Sequence, residues 1–329
     1  MSRLLKVELR RLFARRLTLI GAAATLLIAG LLLLAVWQDS KPLSAEEERQ
    51  QRLQFEAAQK DWQVNGTRML EECRAGEAQA RTSDPNADFA CDQMEPRWES
   101  WGKPETVFGE AMPDFLHGLV YLMVFAVFLI AAGFIGAEFS TGSIGNWLTF
   151  EPRRLRVYAS KVLAAATGPL PGAVVLMVLF TAACWLVIGQ NGTTAGTTSG
   201  TWADLGGTAG RTVVLVAAAG AMGVVIGSLL RHTAAAIGVA MAYLVIVEGI
   251  FAYSLNKLQP WLLRANIDSW IKHGTTYYVE DCVTGPDGSY RCDSAERVLT
   301  FGHSAAYLGV LVAVLVVVGA VVFRRRDIT

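Results

Sequence analysis

Six apolar stretches divide this 329-residue chain, and they constrain its fold more than any other feature. They occupy residues 17–37, 115–136, 162–189, 212–230, 233–255 and 304–323. A helix needs about 20 apolar residues to cross the hydrocarbon of a bilayer. With 53% hydrophobic residues and a mean hydropathy of +0.36, the chain is too apolar and too segmented for one soluble domain. The sequence therefore predicts an all-α integral membrane protein with six transmembrane helices.

The charged residues between these stretches predict the side that each connecting segment occupies. Segments 1–16, 137–161, 231–232 and 324–329 contain 14 of the 29 Lys and Arg residues but only four acids. Segments 38–114, 190–211 and 256–303 contain the other 15 basic residues together with 24 acids. Because basic connecting segments remain on the cytoplasmic side, we expect both termini to be cytoplasmic and the acidic segments to be extracellular.

Four of the five cysteines fall in the predicted outer segments. Cys73 and Cys91 lie in the first of these segments, Cys282 and Cys292 lie in the last, and Cys184 lies within the third apolar stretch. Thiols confined to outer segments indicate disulfides formed in an oxidising compartment. The simplest pairing joins Cys73 to Cys91 and Cys282 to Cys292, and a cross-pairing between the two segments stays open. A metal site is the weaker interpretation, because neither pair has tight ligand spacing or a histidine cluster beside it.

Short signals predict helices within the outer segments. Ser44-Ala-Glu-Glu47 is a capping-box pattern, which predicts a helix from there to about Trp62, before a turn at Asn65-Gly66. In the last outer segment, residues 259–273 combine a proline with Trp, Leu and Ile, which predicts one or two short interfacial or re-entrant helices. Insert 38–114 would then be a small ectodomain pinned by its disulfide.

Glycine and proline residues predict how the spans bend and pack. The G-P-L-P-G run at 168–172 lacks two backbone donors, so the third span should kink or break there. The fourth and fifth spans are joined by two residues only and should form a tight antiparallel hairpin. Gly223 with Gly227, and Gly238 with Ala242, form two small-residue faces that allow close approach between helices.

One ionisable residue, Glu248, stands within a predicted span. A charge at this depth costs several kcal/mol unless it is paired, protonated or wetted, so the side chain should face the bundle interior. Two interpretations are open. The carboxylate contacts a cationic substrate or moves a proton, or it is neutral and hydrogen-bonded to a backbone carbonyl or a neighbouring helix.

The sequence has no motif for nucleotide binding or catalysis. It lacks G-x-x-x-x-G-K-[ST], so this chain cannot cradle ATP phosphates by itself, and it lacks G-x-S-x-G and H-E-x-x-H. An intramembrane enzyme would need a second polar catalytic group opposite Glu248, and the sequence offers none. We therefore expect no enzyme activity, no cofactor, no metal site and no nucleic-acid partner for this chain.

The segment 133–161, between the second and third spans, turns abruptly polar. An acidic residue ends the second span, a Gly-Ser step and an amphipathic turn follow, and a Pro-Arg-Arg sequence precedes a lysine near the start of the third span. These residues are Glu138, Gly142, Ser143, Pro152, Arg153, Arg154 and Lys161.

This order resembles the linker between the second and third spans in the permease subunits of bacterial type-2 ATP-binding cassette (ABC) exporters. In that family a short helix of the linker docks on the ATPase, and a threonine is commoner at the position of Ser143. Residues 1–16 resemble the interfacial elbow helix that precedes the first span of these permeases, and the final F-R-R-R-D-I-T resembles their usual ending. An ordinary basic loop and a simple polybasic flank are the alternative interpretations.

The resemblance implies a multi-pass permease of the bacterial cell membrane. Two such chains, here as a homodimer, would work with two cytoplasmic ATPase subunits that bind ATP and Mg, with membrane lipids around them. The seven linker residues would couple the permease to the ATPase. The expected function is outward movement of an amphipathic substrate such as a drug, an antibiotic or a lipid. The alternative is a membrane-tethered sensor or immunity protein whose ectodomain binds a ligand without transport.

Overall fold

The structure, a computed structural model, describes residues 2–82, 87–251, 256–284 and 290–325, without the side chains of 2, 256–257, 280–284 and 290–294. The α-helices are α1 (Ser2–Ala14), α2 (Arg16–Ser40), α3 (Ala45–Arg81), α4 (Trp98–Trp101), α5 (Phe108–Ser140), α6 (Ser143–Phe150), α7 (Arg154–Thr167), α8 (Leu170–Asn191), α9 (Ser199–Leu230), α10 (Thr233–Ala242), α11 (Leu263–Lys272) and α12 (Phe301–Arg325). A π-helical segment (Tyr243–Phe251) continues α10, and single 3-10 turns cover Cys91–Gln93 and Asn256–Trp261. Strand β1 (Thr275–Thr284) pairs with strand β2 (Tyr290–Leu299).

Within the described residues, six helical stretches are long and apolar enough to cross a membrane. They are Arg16–Ser40, Phe108–Ser140, Arg154–Asn191, Ser199–Leu230, Thr233–Phe251 and Phe301–Arg325. The structure is mainly helical, and the prediction of a multi-pass membrane protein with six spans is therefore confirmed. The predicted end of the fifth span at 252–255 and the tail at 326–329 lie outside the described residues.

Helices α5 and α9 form the centre of the bundle. About half of their most apolar windows is buried, 50% for α5 and 56% for α9, against 11% for α2, α10 and α12. A β-carbon at Gly223 would lie 2.4 Å from the Phe128 carbonyl oxygen, and one at Gly227 would lie 2.5 Å from Ile135 Cγ2. The predicted close approach at these glycines thus occurs between α9 and α5. A β-carbon at Gly238 would meet no described atom within 4 Å, so the second small-residue face is open in this chain.

The third span is broken where the G-P-L-P-G run predicts it. Helix α7 ends at Thr167, and α8 begins at Leu170 with Pro169 as its N-cap. A β-carbon at Gly168 would lie 3.0 Å from Leu12 Cδ2 and 3.1 Å from Leu9 Cδ2. The glycine at the break therefore leaves room for two leucines of α1.

Helix α3, in the first of the predicted outer segments, is longer than predicted. Its capping box is present, because the Ser44 hydroxyl accepts from the Glu47 amide at 3.3 Å and the Glu47 carboxylate accepts from the Ser44 amide at 2.9 Å. The expected end near Trp62 is wrong, since α3 continues to Arg81. The Trp62 side chain, one turn earlier in the same helix, lies over Gly66, and its ring is 2.8 Å from where a β-carbon of residue 66 would be. The predicted disulfide between Cys73 and Cys91 is confirmed.

The last of the predicted outer segments contains a β-hairpin as well as the helix α11, so the prediction of an all-α fold is wrong here. Strands β1 and β2 are antiparallel, and their register places Cys282 opposite Cys292. The side chains of these two cysteines lie outside the described residues, so their disulfide stays a prediction. A run rich in Thr, Tyr and Val at 275–284, followed by the turn signal G-P-D-G, is the hairpin signal in this sequence.

We predict that Gly223→Val destabilises the protein more than Gly238→Val does. The valine at 223 would collide with the backbone of α5, which should cost about 1–3 kcal/mol or more, whereas the valine at 238 enters open space. Both variants replace a glycine within a helix by valine, so the change in helix propensity is the same and Gly238→Val is the matched control. Thermal unfolding of the purified proteins in detergent measures the difference, and equal unfolding temperatures would contradict the observed packing.

Candidate functional site

The predicted coupling residues lie where the chain passes from α5 through α6 into α7. Gly142 precedes α6 with a φ of +66°, a left-handed conformation that glycine adopts without the steric cost of a side chain. Ser143 begins α6, and its hydroxyl donates to the Glu138 carbonyl at 3.4 Å. The turn is therefore built from the Gly-Ser step that the sequence singled out.

Helix α6, called the linker helix below, presents one face to solvent. Ile144 is 1% exposed and anchors the opposite face, whereas Phe150 is 84% exposed. A shallow surface pocket is lined by Gly145, Leu148, Thr149, Pro152 and Arg154.

The linker helix ends at Phe150 because Pro152 disfavours helical backbone at the residue before it. That residue, Glu151, is extended, with a φ of −130° and a ψ of 94°. Arg153 is then the N-cap residue of α7. This end of the bundle therefore exposes an apolar side chain next to basic ones.

Glu138 and Lys161 are not on this surface. They belong to an ion cluster that consists of Glu8, Arg11, Arg15, Glu138 and Lys161, in which Glu8 and Arg11 come from α1 and Arg15 directly follows it. Both glutamate side chains are 0% exposed, and the lysine side chain is 1% exposed. The two arginines lie at the edge of the cluster, with 30% and 24% of their side chains exposed.

The lysine joins the two buried carboxylates. Lys161 Nζ lies 2.6 Å from Glu138 Oε2, and it donates to Glu8 Oε1 and Oε2 at 3.1 Å and 3.0 Å. One ammonium thus ties α7 to the end of α5 and to the middle of α1.

The two arginines complete the contacts of Glu138. Arg15 Nη2 and Arg11 Nη2 lie 2.7 Å and 3.0 Å from Glu138 Oε1, and Arg15 Nη1 donates to the Phe134 carbonyl at 2.8 Å. The Arg11 guanidinium also lies over the Trp147 ring, 5.0 Å from its centroid. Since Trp147 belongs to the linker helix, the cluster contacts α1, α5, α6 and α7.

The amphipathic sequence of α1 explains how Glu8 reaches this position. Glu8 and Leu12 are one helical turn apart on the same face, and both are buried, at 0% and 2% exposed. Leu12 packs on Gly168 at the end of α7, which places α1 along α7 and Glu8 beside Lys161. In the sequence, Glu8 was noted only as one of the four acids in the predicted cytoplasmic segments. The overlooked signal is a single acid on the apolar face of a basic helix.

The charges of the cluster do not cancel. Three cations and two carboxylates give a formal charge of +1. Removing ions from water is costly, and a buried pair is stable only where each charge keeps its partners. Glu138 has three cationic partners and Glu8 has two, so neither carboxylate is left uncompensated. The arrangement can hold four helices together as one mechanical unit.

We predict that Lys161→Met strongly destabilises the protein and that Glu8→Gln partly rescues it. The methionine removes the ammonium between two buried carboxylates, which should cost about 3–5 kcal/mol. Glu138 keeps both arginines, whereas Glu8 keeps only Arg11 at 3.6 Å, so neutralising Glu8 removes the carboxylate that has lost more of its compensation. Thermal unfolding of the two single variants and the double variant measures the coupling, and strictly additive losses would show that the residues do not interact.

Glu248 lies in the π-helical segment and is 6% exposed. Its Oε1 accepts from the amides of Leu263 and Arg264 at 2.8 Å and 3.2 Å and from the Tyr243 hydroxyl at 2.7 Å. The carboxylate therefore caps the amino-terminal end of α11, where backbone amides lack helical partners. Of the two partners that the structural interpretation named, a neighbouring helix is therefore the one that Glu248 contacts, and the contacts are hydrogen-bond donors.

A second acid holds α11 further along. Asp268 Oδ1 lies 2.7 Å from His117 Nε2 and accepts from the Tyr121 hydroxyl at 2.6 Å. Burial raises the pKa of Asp268, but the hydrogen bonds from His117 and Tyr121 outweigh it and hold the pKa below its ordinary value. Sequence reasoning missed this contact, because no local spacing relates α5 to α11.

We predict that Glu248→Leu lowers the unfolding temperature and that Glu248→Gln largely preserves it. The glutamine keeps an oxygen that can accept from α11, whereas the leucine removes the acceptor that the Leu263 and Arg264 amides and the Tyr243 hydroxyl share, which should cost about 1–3 kcal/mol. The comparison uses thermal unfolding of both variants beside the wild type. Equal stability of all three proteins would contradict the capping role.

Comparison with known proteins gives one family. Residues 102–329, more than half of the chain, match the family model described as Protein of unknown function (DUF2705). The matched region contains five of the six candidate spans, the linker helix, Glu138, Lys161 and Glu248, and it leaves out α1 and α3. No curated protein and no solved structure matches the chain. Among the described residues, no group of three or more His, Cys, Asp or Glu side chains is placed to hold a metal ion.

Proposed function

The chain belongs to the DUF2705 family, whose function is unknown, and we propose that it is the permease subunit of a bacterial type-2 ABC exporter. It lies in the cell membrane with both termini in the cytoplasm. Two copies move an amphipathic substrate outward with ATP that two separate ATPase subunits hydrolyse. The observation that supports this proposal best is the exposed linker helix, which stands on a buried ion cluster.

The proposed orientation agrees with the charges and with the position of the disulfide. Helix α1 and the linker converge on the ion cluster, and the Arg154 guanidinium donates to the Arg324 carbonyl at 3.4 Å, which brings the carboxyl end of α12 to the same place. The disulfide between Cys73 and Cys91 lies in the segment between α2 and α5, which leave the bundle at its other end. A basic cytoplasmic end and a disulfide in an oxidising compartment fit one topology.

The docking surface in this proposal is the exposed face of the linker helix and the start of α7. Phe150 projects from it, and Arg153 and Arg154 stand beside it. An exposed aromatic side chain flanked by cations fits a partner whose groove is apolar and rimmed by acids, as aromatic and arginine side chains dominate many interfaces. Gly142 and Ser143 shape the turn before this face, and Pro152 ends the helix behind it.

Glu138 and Lys161 have a different part in the proposal, because both are buried. They connect the docking surface to the spans. A push on the linker helix would move α1, α5 and α7 together, since the ion cluster joins them, and would not be lost in a flexible loop. The expected coupling role is thus divided between surface residues that contact the ATPase and buried residues that transmit its movement.

The second permease chain would cover part of the poorly buried spans. Only 11% of the apolar windows of α2, α10 and α12 is buried within one chain, and the small-residue face at Gly238 is open. Lipid would cover the remaining apolar surface. ATP and Mg would be bound by the partner ATPase, and this chain would supply no catalytic group.

One observation favours the alternative of a ligand-binding sensor or immunity protein. Helix α3 has 37 residues, and the disulfide ties the segment after it back to the helix. A rigid outer helix of this length is more than a connection between two spans requires. On this alternative the ectodomain binds a ligand, and no ATPase binds the linker.

We predict that an ABC ATPase subunit co-purifies with the tagged chain in mild detergent and that Phe150→Asp reduces the recovery about tenfold or more. An aspartate places a charge where the partner should present an apolar groove. Val64→Asp is the matched control, because Val64 is an equally exposed apolar residue, 82% against 84%, on the outer helix α3. Recovery is measured by quantitative mass spectrometry, with ATP hydrolysis of the purified complex as a second readout.

Three outcomes decide between the proposals. Loss of the ATPase in Phe150→Asp alone supports the docking surface, and the charge reversal Arg153→Glu should act in the same direction. Equal loss in both aspartate variants would reject the linker helix as the docking element. Absence of any ATPase from the wild-type complex would reject the exporter and leave the sensor.

A further inference from the structure

Helix α1 has a second face, opposite the one that contacts the ion cluster. Arg3, Lys6 and Arg10 are all exposed, and their spacing of three and four residues places them on one side of the helix. Glu8 and Leu12 occupy the other side and are buried. The cations on the exposed face of α1 are therefore not part of the ion cluster.

The exposed face of α1 has cations without an acid. Glu8 is the one acidic residue of α1 in the sequence, and it is buried against Lys161. Two apolar side chains lie beside the exposed cations, with Phe13 51% exposed and Val7 39% exposed. Because its one acidic side chain is buried, the exposed surface of α1 has a more positive net charge than the whole helix.

The position of α1 along the bundle sets the environment of this face. Arg15 has an extended backbone between α1 and α2, and the first span begins at the next residue. Helix α1 thus lies at the depth where a span leaves the hydrocarbon, among lipid headgroups. A basic helix with exposed Phe and Val at this depth can contact phosphates with its cations and acyl chains with its apolar residues.

We propose that the exposed face of α1 binds anionic phospholipids of the cytoplasmic leaflet. The phosphate groups contact Arg3, Lys6 and Arg10, while Phe13 and Val7 enter the boundary of the acyl chains. The cytoplasmic placement rests on the orientation in the proposed function. Each cation near an anionic surface strengthens binding roughly fivefold at moderate salt, so three of them make a marked preference over zwitterionic lipid.

This binding has a consequence for the ion cluster. The helix that contacts the lipid also contributes Glu8 and Arg11 to the cluster beneath the linker helix, and Arg15 of the cluster directly follows it. Anionic lipid therefore holds α1 against α7 and stabilises the cluster, and its removal loosens both. A polybasic flank that only orients the first span during insertion would give the folded protein no such lipid preference.

The test is thermal unfolding of the purified full-length protein in detergent with added phosphatidylglycerol or phosphatidylcholine. Phosphatidylglycerol should raise the unfolding temperature by several degrees more than phosphatidylcholine does. Raising the salt from about 0.05 to about 0.5 M should remove most of this difference, because the exposed charges are then screened.

The variant Arg3→Ser/Lys6→Ser/Arg10→Ser should lose most of the difference between the two lipids. The matched control neutralises three exposed arginines of the outer helix, Arg49, Arg52 and Arg68, and should keep the whole difference. Loss of the lipid difference in the control variant as well would assign it to overall charge and overturn the proposal.

Two further measurements distinguish binding of the lipid from binding of free phosphate and cover the case of a triple variant that does not fold. Soluble glycerol phosphate at matched phosphate concentration should leave the unfolding temperature unchanged, and an equal shift would assign the site to free phosphate instead of lipid. If the triple variant fails to fold, a difference between the lipids that resists salt in the wild type overturns the proposal by itself. No ATPase is present in these measurements, so their failure is distinguishable from failure of the exporter proposal.

Discussion

The ammonium of Lys161 between the carboxylates of Glu8 and Glu138 is the contact on which the linker end of the structure depends. In a bilayer, an apolar side chain that leaves a helix contact is covered by lipid tails that are as apolar as leucine. Apolar contact alone therefore does not specify where α1 lies. A buried carboxylate does specify it, because any other position of α1 would separate Glu8 from Lys161 and Arg11 from Glu138. The ion cluster therefore places α1 and, through Trp147, the linker helix.

The same physical rule organises the other end of the bundle. Helix α11 is too short to be stable alone in water, yet it is held at its first residues by Glu248 and in its middle by Asp268. Both acids accept hydrogen bonds that α11 and α5 would otherwise lack. A buried acid within a span thus has a structural use at this position.

What the sequence predicts well depends on short distances along the chain. The spans, the break after Thr167 and the Cys73–Cys91 bridge follow from composition and spacing within a few tens of residues. Glu8 and Lys161 are 153 residues apart, and no local pattern connects them. Two local signals were weighed wrongly. Asn65-Gly66 lies inside α3, where the Asn65 side chain donates a hydrogen bond to Asp61 one turn earlier, so its turn propensity does not end the helix. The β-hairpin was not predicted because the Trp, Leu and Ile residues of 259–273 directed the interpretation of this segment towards helices.

The break in the third span lies between two sets of contacts. Helix α7 packs on α1, α9 and α12, whereas α8 packs on α2, α5 and α9. Leu9 and Leu12 of α1 press against Gly168, so the piece that moves with the ion cluster ends at the glycine. Pro169 cannot donate a backbone hydrogen bond across this point, which weakens the connection to α8. If an ATPase moves the linker helix, the bundle should therefore bend at Gly168 and Pro169, because there the ion cluster ceases to join the helices.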